Sequence, residues 1–164
     1  FILNDRPVIM SPDSGGLKRA AAFAEAIAQT LNCETPEVAM MHKSREGDAI
    51  GGLSKVFGNV SGRNVIIIDD LISSGSTLLR AAKACKKAGA KTIYTLATHG
   101  VFTGNAVKHL NDPAIDKVFI TNTIPPNKLV SNLINNKIEL IDISAVVGNW
   151  VLQHMGILSN THHE

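Results

Sequence analysis

Aromatic side chains are scarce in this sequence. Phe, Tyr and Trp make up 4% of its 164 residues, too few for the stacking platforms that hold single-stranded nucleic acids. A surplus of one charge is also missing. There are 16 Lys and Arg against 14 Asp and Glu, a formal net charge of +2, and no basic stripe to follow a phosphate backbone. No nucleic-acid partner is expected. Apolar runs reach five residues at most, far from the ~20 of a membrane-crossing helix, so no membrane segment is expected either. The first residues lack the charged-then-apolar pattern of a secretory leader. Cys33 and Cys85 are the only cysteines, too few for a disulfide framework or a zinc site. Both are therefore expected to be buried, reduced thiols in a cytoplasmic protein. The chain starts at Phe1 and enters its first strand almost at once, as expected of a fragment or a processed product.

What the sequence has in quantity is aliphatic. Hydrophobic residues make up 45% and charged residues 18%, which argues against disorder, and the length suits one domain. Strands are predicted at Pro7–Met10, Val38–His42, Val65–Asp69, Thr92–Ala97, Lys117–Thr121 and Ile138–Ile141. Between the first two, Leu17, Ala20, Phe23, Ala24, Ile27 and Leu31 recur at helical spacing, with Lys18, Arg19 and Glu25 off that face. Leu78, Ala81, Ala82, Cys85 and Ala88 repeat the pattern, and Gly89 stands where a helix would end. Strands alternating with helices predict an α/β domain: an open, mainly parallel sheet with helices on both faces. Glu46–Lys55 is Gly-rich and without clear period, and reads as an exposed mobile loop or a loose hairpin arm.

Ligands of open α/β sheets sit outside the carboxyl ends of the strands, so the strand-to-helix loops carry the functional signal. In the strongest, the run Val65–Ile68 leads into Asp69 and Asp70, then Leu71-Ile72, then Ser73-Ser74-Gly75-Ser76-Thr77. Ser73–Thr77 can offer successive backbone N–H groups and several hydroxyls to a phosphate, at a helix N-terminus whose dipole favours an anion. Gly75 lets the backbone approach closely. Asp69 and Asp70 repel a phosphate, but can accept hydrogen bonds from sugar hydroxyls or hold hydrated Mg²⁺. The competing reading is that the hydroxyls cap the helix while both acids end a strand in solvent. The ordered succession after a buried strand favours the phosphate cradle.

This loop resembles the ribose-5-phosphate fingerprint of the type I phosphoribosyltransferase fold. Within that fold the chain is similar to ribose-phosphate diphosphokinase, the phosphoribosyl-pyrophosphate synthetase family. Ser11-Pro12-Asp13-Ser14-Gly15-Gly16 resembles its diphosphate loop, and Met41-His42-Lys43-Ser44-Arg45 occupies the place of its catalytic arm. Ala97–Gly104 and Thr121–Pro125 match two further stretches in order. The resemblance implies transfer of the β,γ-diphosphoryl group of Mg·ATP to the C1 hydroxyl of ribose 5-phosphate. The products would be AMP and phosphoribosyl diphosphate for nucleotide biosynthesis.

On this resemblance Ser73, Ser74, Gly75, Ser76 and Thr77 hold the 5-phosphate, and Asp69 and Asp70 engage the ribose diol. Asp13, Ser14, Gly15 and Gly16 hold the diphosphate. A carboxylate repels a diphosphate, so Asp13 is expected to ligate its Mg²⁺; the competing reading is a turn that caps the Leu17 helix. Lys43 and Arg45 would stabilise the charge that develops in transfer, although a Lys-x-Arg pair alone is an ordinary solvated feature. His99 is expected to hydrogen-bond structurally, and His162 and His163 to lie in a polar tail. The sequence departs from the family at Ser73, where many members have Asp, and at Ser76, where Gly or Ala is usual.

The family's enzymes are built from two similar halves, the first carrying adenine contacts and a Mg²⁺-binding His in an Asp-Leu-His context. Neither occurs here. Residues 1–164 are therefore expected to be the second half, inactive alone, with the first half and further copies in a homo-oligomer as partners. Two alternatives stay open. A phosphoribosyltransferase acting on a nucleobase would share the Asp69–Thr77 loop but not need the Ser11–Gly16 and Thr98–Gly100 stretches. A non-catalytic regulatory or associated subunit would not need Asp13, Lys43 and Arg45.

Overall fold

The computed structural model describes residues 7–43, 54–126, 128, 130–133 and 136–155. Among these residues seven strands form one sheet: β1 Val8–Ser11, β2 Val38–Lys43, β3 Ser54–Phe57, β4 Asn64–Ile72, β5 Thr92–Gly100, β6 Lys117–Thr121 and β7 Ile138–Ile141. Their order across the sheet is β3-β2-β1-β4-β5-β6-β7. Every neighbouring pair is parallel except β2 and β3. Among the described residues there are four α-helices, α1 Leu17–Leu31, α2 Ser76–Lys87, α3 Ala106–Leu110 and α4 Ser144–His154, and a 3₁₀ turn at Ser131–Leu133.

The central strands are apolar on both sides because helices cover both. Ile9 and Ile68 pack with Ala20 and Ala24 of α1 on one face. Val8, Met10, Val65, Ile67 and Ile93 join Leu78, Ala82 and Cys85 of α2 on the other. Alternation along each strand sends successive side chains to opposite layers, and both layers are predominantly aliphatic. α2 ends where Gly89 (φ +89) turns the chain. The N–H of Gly89 bonds to Lys86 O and that of Ala90 to Cys85 O, each at 3.0 Å, a Schellman ending.

The structure changes several sequence expectations. β4 runs on through Ile72 and β5 through Gly100, each three residues past its expected end, because Leu71 pairs with His99 and Ile72 with Gly100. Asp69 and Asp70 therefore lie within a strand. The end of Glu46–Lys55 joins β3, where Lys55 pairs with His42; residues 44–53 lie outside the described set. α3, at five residues, is too short to show a period. α4 buries no side chain and exposes Val146 and Trp150, so its pattern marks no core face. Cys85 is buried, but Cys33 is exposed. It follows Asn32, whose left-handed backbone (φ 47) ends α1 and carries the chain off the core. Among the described residues, no helix is long and apolar enough to cross a membrane.

Candidate functional site

β1 lies between β2 and β4. The chain leaves β1 through α1 toward one face of the sheet and leaves β4 through α2 toward the other. Loops that diverge in this way open a crevice at the carboxyl ends of the two strands. The expected diphosphate loop and ribose-phosphate loop are the two loops at that crevice.

The β1–α1 loop is tightly folded. Ser11 Oγ donates to Asp13 O at 2.6 Å, and the Gly16 N–H donates to Asp13 Oδ1 at 3.0 Å. Asp13 thus organises its own turn with one carboxylate oxygen. A Cβ on Gly16 would stand 2.8 Å from Ser11 Oγ and 3.3 Å from Arg19 Nη1, so the close packing here requires glycine.

The β4–α2 loop is held from behind by the chain that follows β5. Val101 and Phe102 both donate their N–H to Ile72 O at 3.0 Å, and Thr103 N–H donates to Ser73 O at 3.1 Å. Ser73 Oγ and Thr103 Oγ1 lie 2.8 Å apart. His109 of α3 contacts Ser74 O through Nδ1 at 2.7 Å; since a carbonyl only accepts, Nδ1 carries the proton. Gly75 (φ +73) starts α2 without a side-chain cap, so the hydroxyls do not act as a conventional N-cap. Ser74 Oγ lies 3.1 Å from Ser76 Oγ. The first-turn N–H groups of a helix have no intrahelical acceptors, and here they border a cleft lined by Asp69 and Leu71–Leu78.

The two loops are bridged by a residue that sequence reasoning left on the solvent side of its helix. Arg19 Nη1 lies 3.0 Å from Asp69 Oδ1, and Nη2 lies 2.9 Å from Asp70 Oδ2. Burial pushes the Asp69 carboxyl up, its contact with Asp70 adds to this, and the Asp70 N–H and Arg19 oppose it. For Asp70 burial is the largest single influence and raises the carboxyl, but the hydrogen bond with Asp69, the charge of Arg19 and the N–H groups of Asp70 and Leu71 together outweigh it and hold it low. A proton entering the pair goes first to Asp69.

The structure brings Asp13–Gly16, Asp69, Asp70 and Ser73–Thr77 to one crevice. Lys43 ends β2, beside β1, and Arg45, His162 and His163 lie outside the described residues. His99 Nδ1 lies 2.8 Å from Thr123 Oγ1, and Thr121 and Thr123 both donate to Thr98 O, so this histidine helps tie the ends of β5 and β6 together. Among the described residues, no group of three or more His, Cys, Asp or Glu could hold a metal ion. Arg19, Thr103 and His109 were not singled out in the sequence. Each acts across the fold, and only the position of Arg19 one turn beyond Gly16 offered a hint.

The model of the phosphoribosyl synthetase-associated domain family matches residues 52–155. A ribose-phosphate pyrophosphokinase of Pasteurella multocida is 37% identical over 145 residues, 88% of this chain and 44% of the relative. One of Haemophilus ducreyi is 36% identical over 145 residues, 88% of this chain and 43% of its own. This chain thus spans less than half the length of these curated relatives. The crystal structure of phosphoribosylpyrophosphate synthetase from Mycobacterium smegmatis superposes with a TM-score of 0.79 at 26% identity, covering 94% of this chain and 47% of the other.

Proposed function

The chain belongs to the phosphoribosyl synthetase-associated domain family, and from that premise we propose that it forms one half of a ribose-phosphate pyrophosphokinase. The observation that carries this reading is the meeting of two loops at one switch point: a phosphate cradle beside an acid pair, and a Gly-rich turn across from it.

In the proposed reaction the C1 oxygen of ribose 5-phosphate attacks the β-phosphorus of ATP. A new C1–O–P bond forms, the bond between the α-phosphate and the β-phosphorus breaks, AMP departs, and the C1 hydroxyl loses its proton. Ser73–Thr77 hold the 5-phosphate through backbone N–H groups and hydroxyls. Asp69 and Asp70 accept hydrogen bonds from the ribose hydroxyls and so fix the sugar ring. The N–H groups of Ser14–Gly16 border the diphosphate. Lys43 and Arg45 place positive charge where the transferring group gathers negative charge.

Mg²⁺, when bound, neutralises diphosphate charge. Asp13 Oδ1 is engaged by Gly16, so Oδ2 is the oxygen that would hold it. A single carboxylate fits an ion held mainly by water and substrate phosphates. In this reading the other half supplies the ATP site, and turnover requires both halves.

The test is calorimetry with ribose 5-phosphate on the 164-residue chain and on the Ser74→Ala/Thr77→Ala variant. The wild type binds and the variant binds clearly more weakly. Equal affinities would remove the phosphate from this loop.

A further inference from the structure

We propose that Arg19 is the positioning residue that makes Asp69 and Asp70 a receptor for a vicinal diol, and thereby sets the preference of this site for ribose over 2-deoxyribose phosphates. The inference rests on the ribose-phosphate reading above and adds a residue to it.

Asp69 and Asp70 are adjacent in β4, and adjacent strand residues send their side chains to opposite faces. Left alone, two neighbouring carboxylates would also repel each other. Arg19 counters both tendencies from α1. Its planar guanidinium presents parallel donors and reaches one oxygen of each acid, at 3.0 and 2.9 Å. Asp69 Oδ1 also accepts the Asp70 N–H at 3.0 Å. Arg19 and this N–H take up Asp69 Oδ1, and Arg19 takes up Asp70 Oδ2; Asp69 Oδ2 and Asp70 Oδ1 are the oxygens the proposal assigns to a ligand. Two acceptors held side by side match the two neighbouring hydroxyls of ribose. A 2-deoxy sugar supplies one donor fewer and leaves an acceptor unpaired, and sites built to bond a hydroxyl discriminate strongly against its loss.

Charge supports the same role. Two carboxylates beside the phosphate cradle oppose an anionic sugar, and one fixed guanidinium halves their net charge. The space for Arg19 is also specified, because Gly16 has no Cβ where one would meet Arg19 Nη1 at 3.3 Å. Side-chain exposure is 36% for Arg19, 19% for Asp69 and 64% for Asp70, so the pairs are open enough for a ligand to reach the remaining oxygens. A role limited to fastening α1 to the sheet would account for the ion pairs but predicts no effect on sugar preference.

The experiment titrates the full chain, wild type, Arg19→Gln and Arg19→Lys, with ribose 5-phosphate, 2-deoxyribose 5-phosphate and inorganic phosphate. Wild type is expected to prefer ribose 5-phosphate by about ten-fold or more, the size of a hydrogen bond to a charged group. Arg19→Gln loses most of that preference; its affinity for inorganic phosphate also falls, because the acid pair loses its counter-charge, but that loss is common to both sugar phosphates and leaves their ratio as the readout of the diol receptor. Arg19→Lys recovers only part of it, because an ammonium cannot reproduce the fork. It also decides the matter if Arg19→Gln shows a non-native circular dichroism spectrum. A variant that keeps the wild-type ribose-to-deoxyribose ratio overturns the proposal and leaves the ribose-phosphate reading standing. A wild type that binds neither sugar phosphate nor inorganic phosphate overturns that reading, and the proposal with it.

Discussion

His109 Nδ1 stands 2.7 Å from the carbonyl oxygen of Ser74, so α3 grips the phosphate loop by its backbone. In a trans peptide the C=O and N–H point in opposite directions. Drawing the Ser74 carbonyl toward α3 therefore turns the Gly75 N–H the other way, toward the cleft. His109→Ala removes a hydrogen bond with a net value of about 0.5–1.5 kcal/mol. The expected result is a several-fold weaker affinity for inorganic phosphate by calorimetry, partly restored in His109→Gln. An unchanged affinity would confine His109 to packing.

Gly100 admits no side chain. A Cβ there would lie 2.5 Å from Phe102 Cε2 and 2.8 Å from Ile120 Cδ1. Phe102 is fully buried with φ +51, and its ring has no room to retreat. Gly100→Ala should cost about 1–3 kcal/mol by overpacking, read as a lower urea midpoint. Because the N–H groups of Val101 and Phe102 hold the Ile72 carbonyl, phosphate affinity should fall as well.

The two thiols should respond differently to thiol reagents. Burial pushes the Cys85 thiol up to about 12, whereas Cys33 is exposed. At pH 8 an aromatic disulfide reagent should titrate one thiol in the native protein and two in guanidinium. In the unfolded chain Cys85 ionises at an ordinary value of ~8.5, so between there and its folded value the native state retains the proton that the unfolded state loses. Its contribution to stability is full below the unfolded value and declines as pH rises through this window. Cys85→Ala should reduce the alkaline slope of the unfolding free energy.

Lys43→Ala and Arg45→Ala belong in the two-half enzyme. If these cations meet charge that develops in transfer, each should lower kcat by ~100-fold or more with little change in KM for ribose 5-phosphate. A change confined to KM would assign them to ground-state binding. If the proposed function holds, the 164-residue chain alone releases no AMP from Mg·ATP and ribose 5-phosphate, and adding the proposed partner half restores release. Robust turnover by the chain alone would place the ATP site within it.

Much of the fold was legible because it depends on local periodicity. Strands such as Val65–Ile68, at the centre of the sheet, and the apolar face of α2 are written into the spacing of their residues. The expected β4 and β5 fall short because their last residues, Asp70–Ile72 and Thr98–Gly100, are polar or mixed. They are strand only because they pair with each other. Cys33 is exposed because a left-handed Asn32 ends α1 just before it and carries it off the core, which a count of cysteines does not register.

The sequence by itself determined an α/β domain, the positions of β1, β2, β4, β5, β6, β7, α1 and α2, and two strand-to-helix loops with the right residues for anions. Each of these rests on contacts between near neighbours in the chain, for which residue type and spacing suffice. Tertiary structure alone decided that β1 and β4 lie side by side, so that the two loops share one crevice. It also decided that Arg19 reaches both acids and that His109 and Thr103 brace the cradle. Those relations join residues 30 to 51 positions apart, and no periodic signal encodes them. They exist because hydrophobic burial on both faces of the sheet fixes the strand order, and the strand order brings distant polar groups within hydrogen-bonding distance.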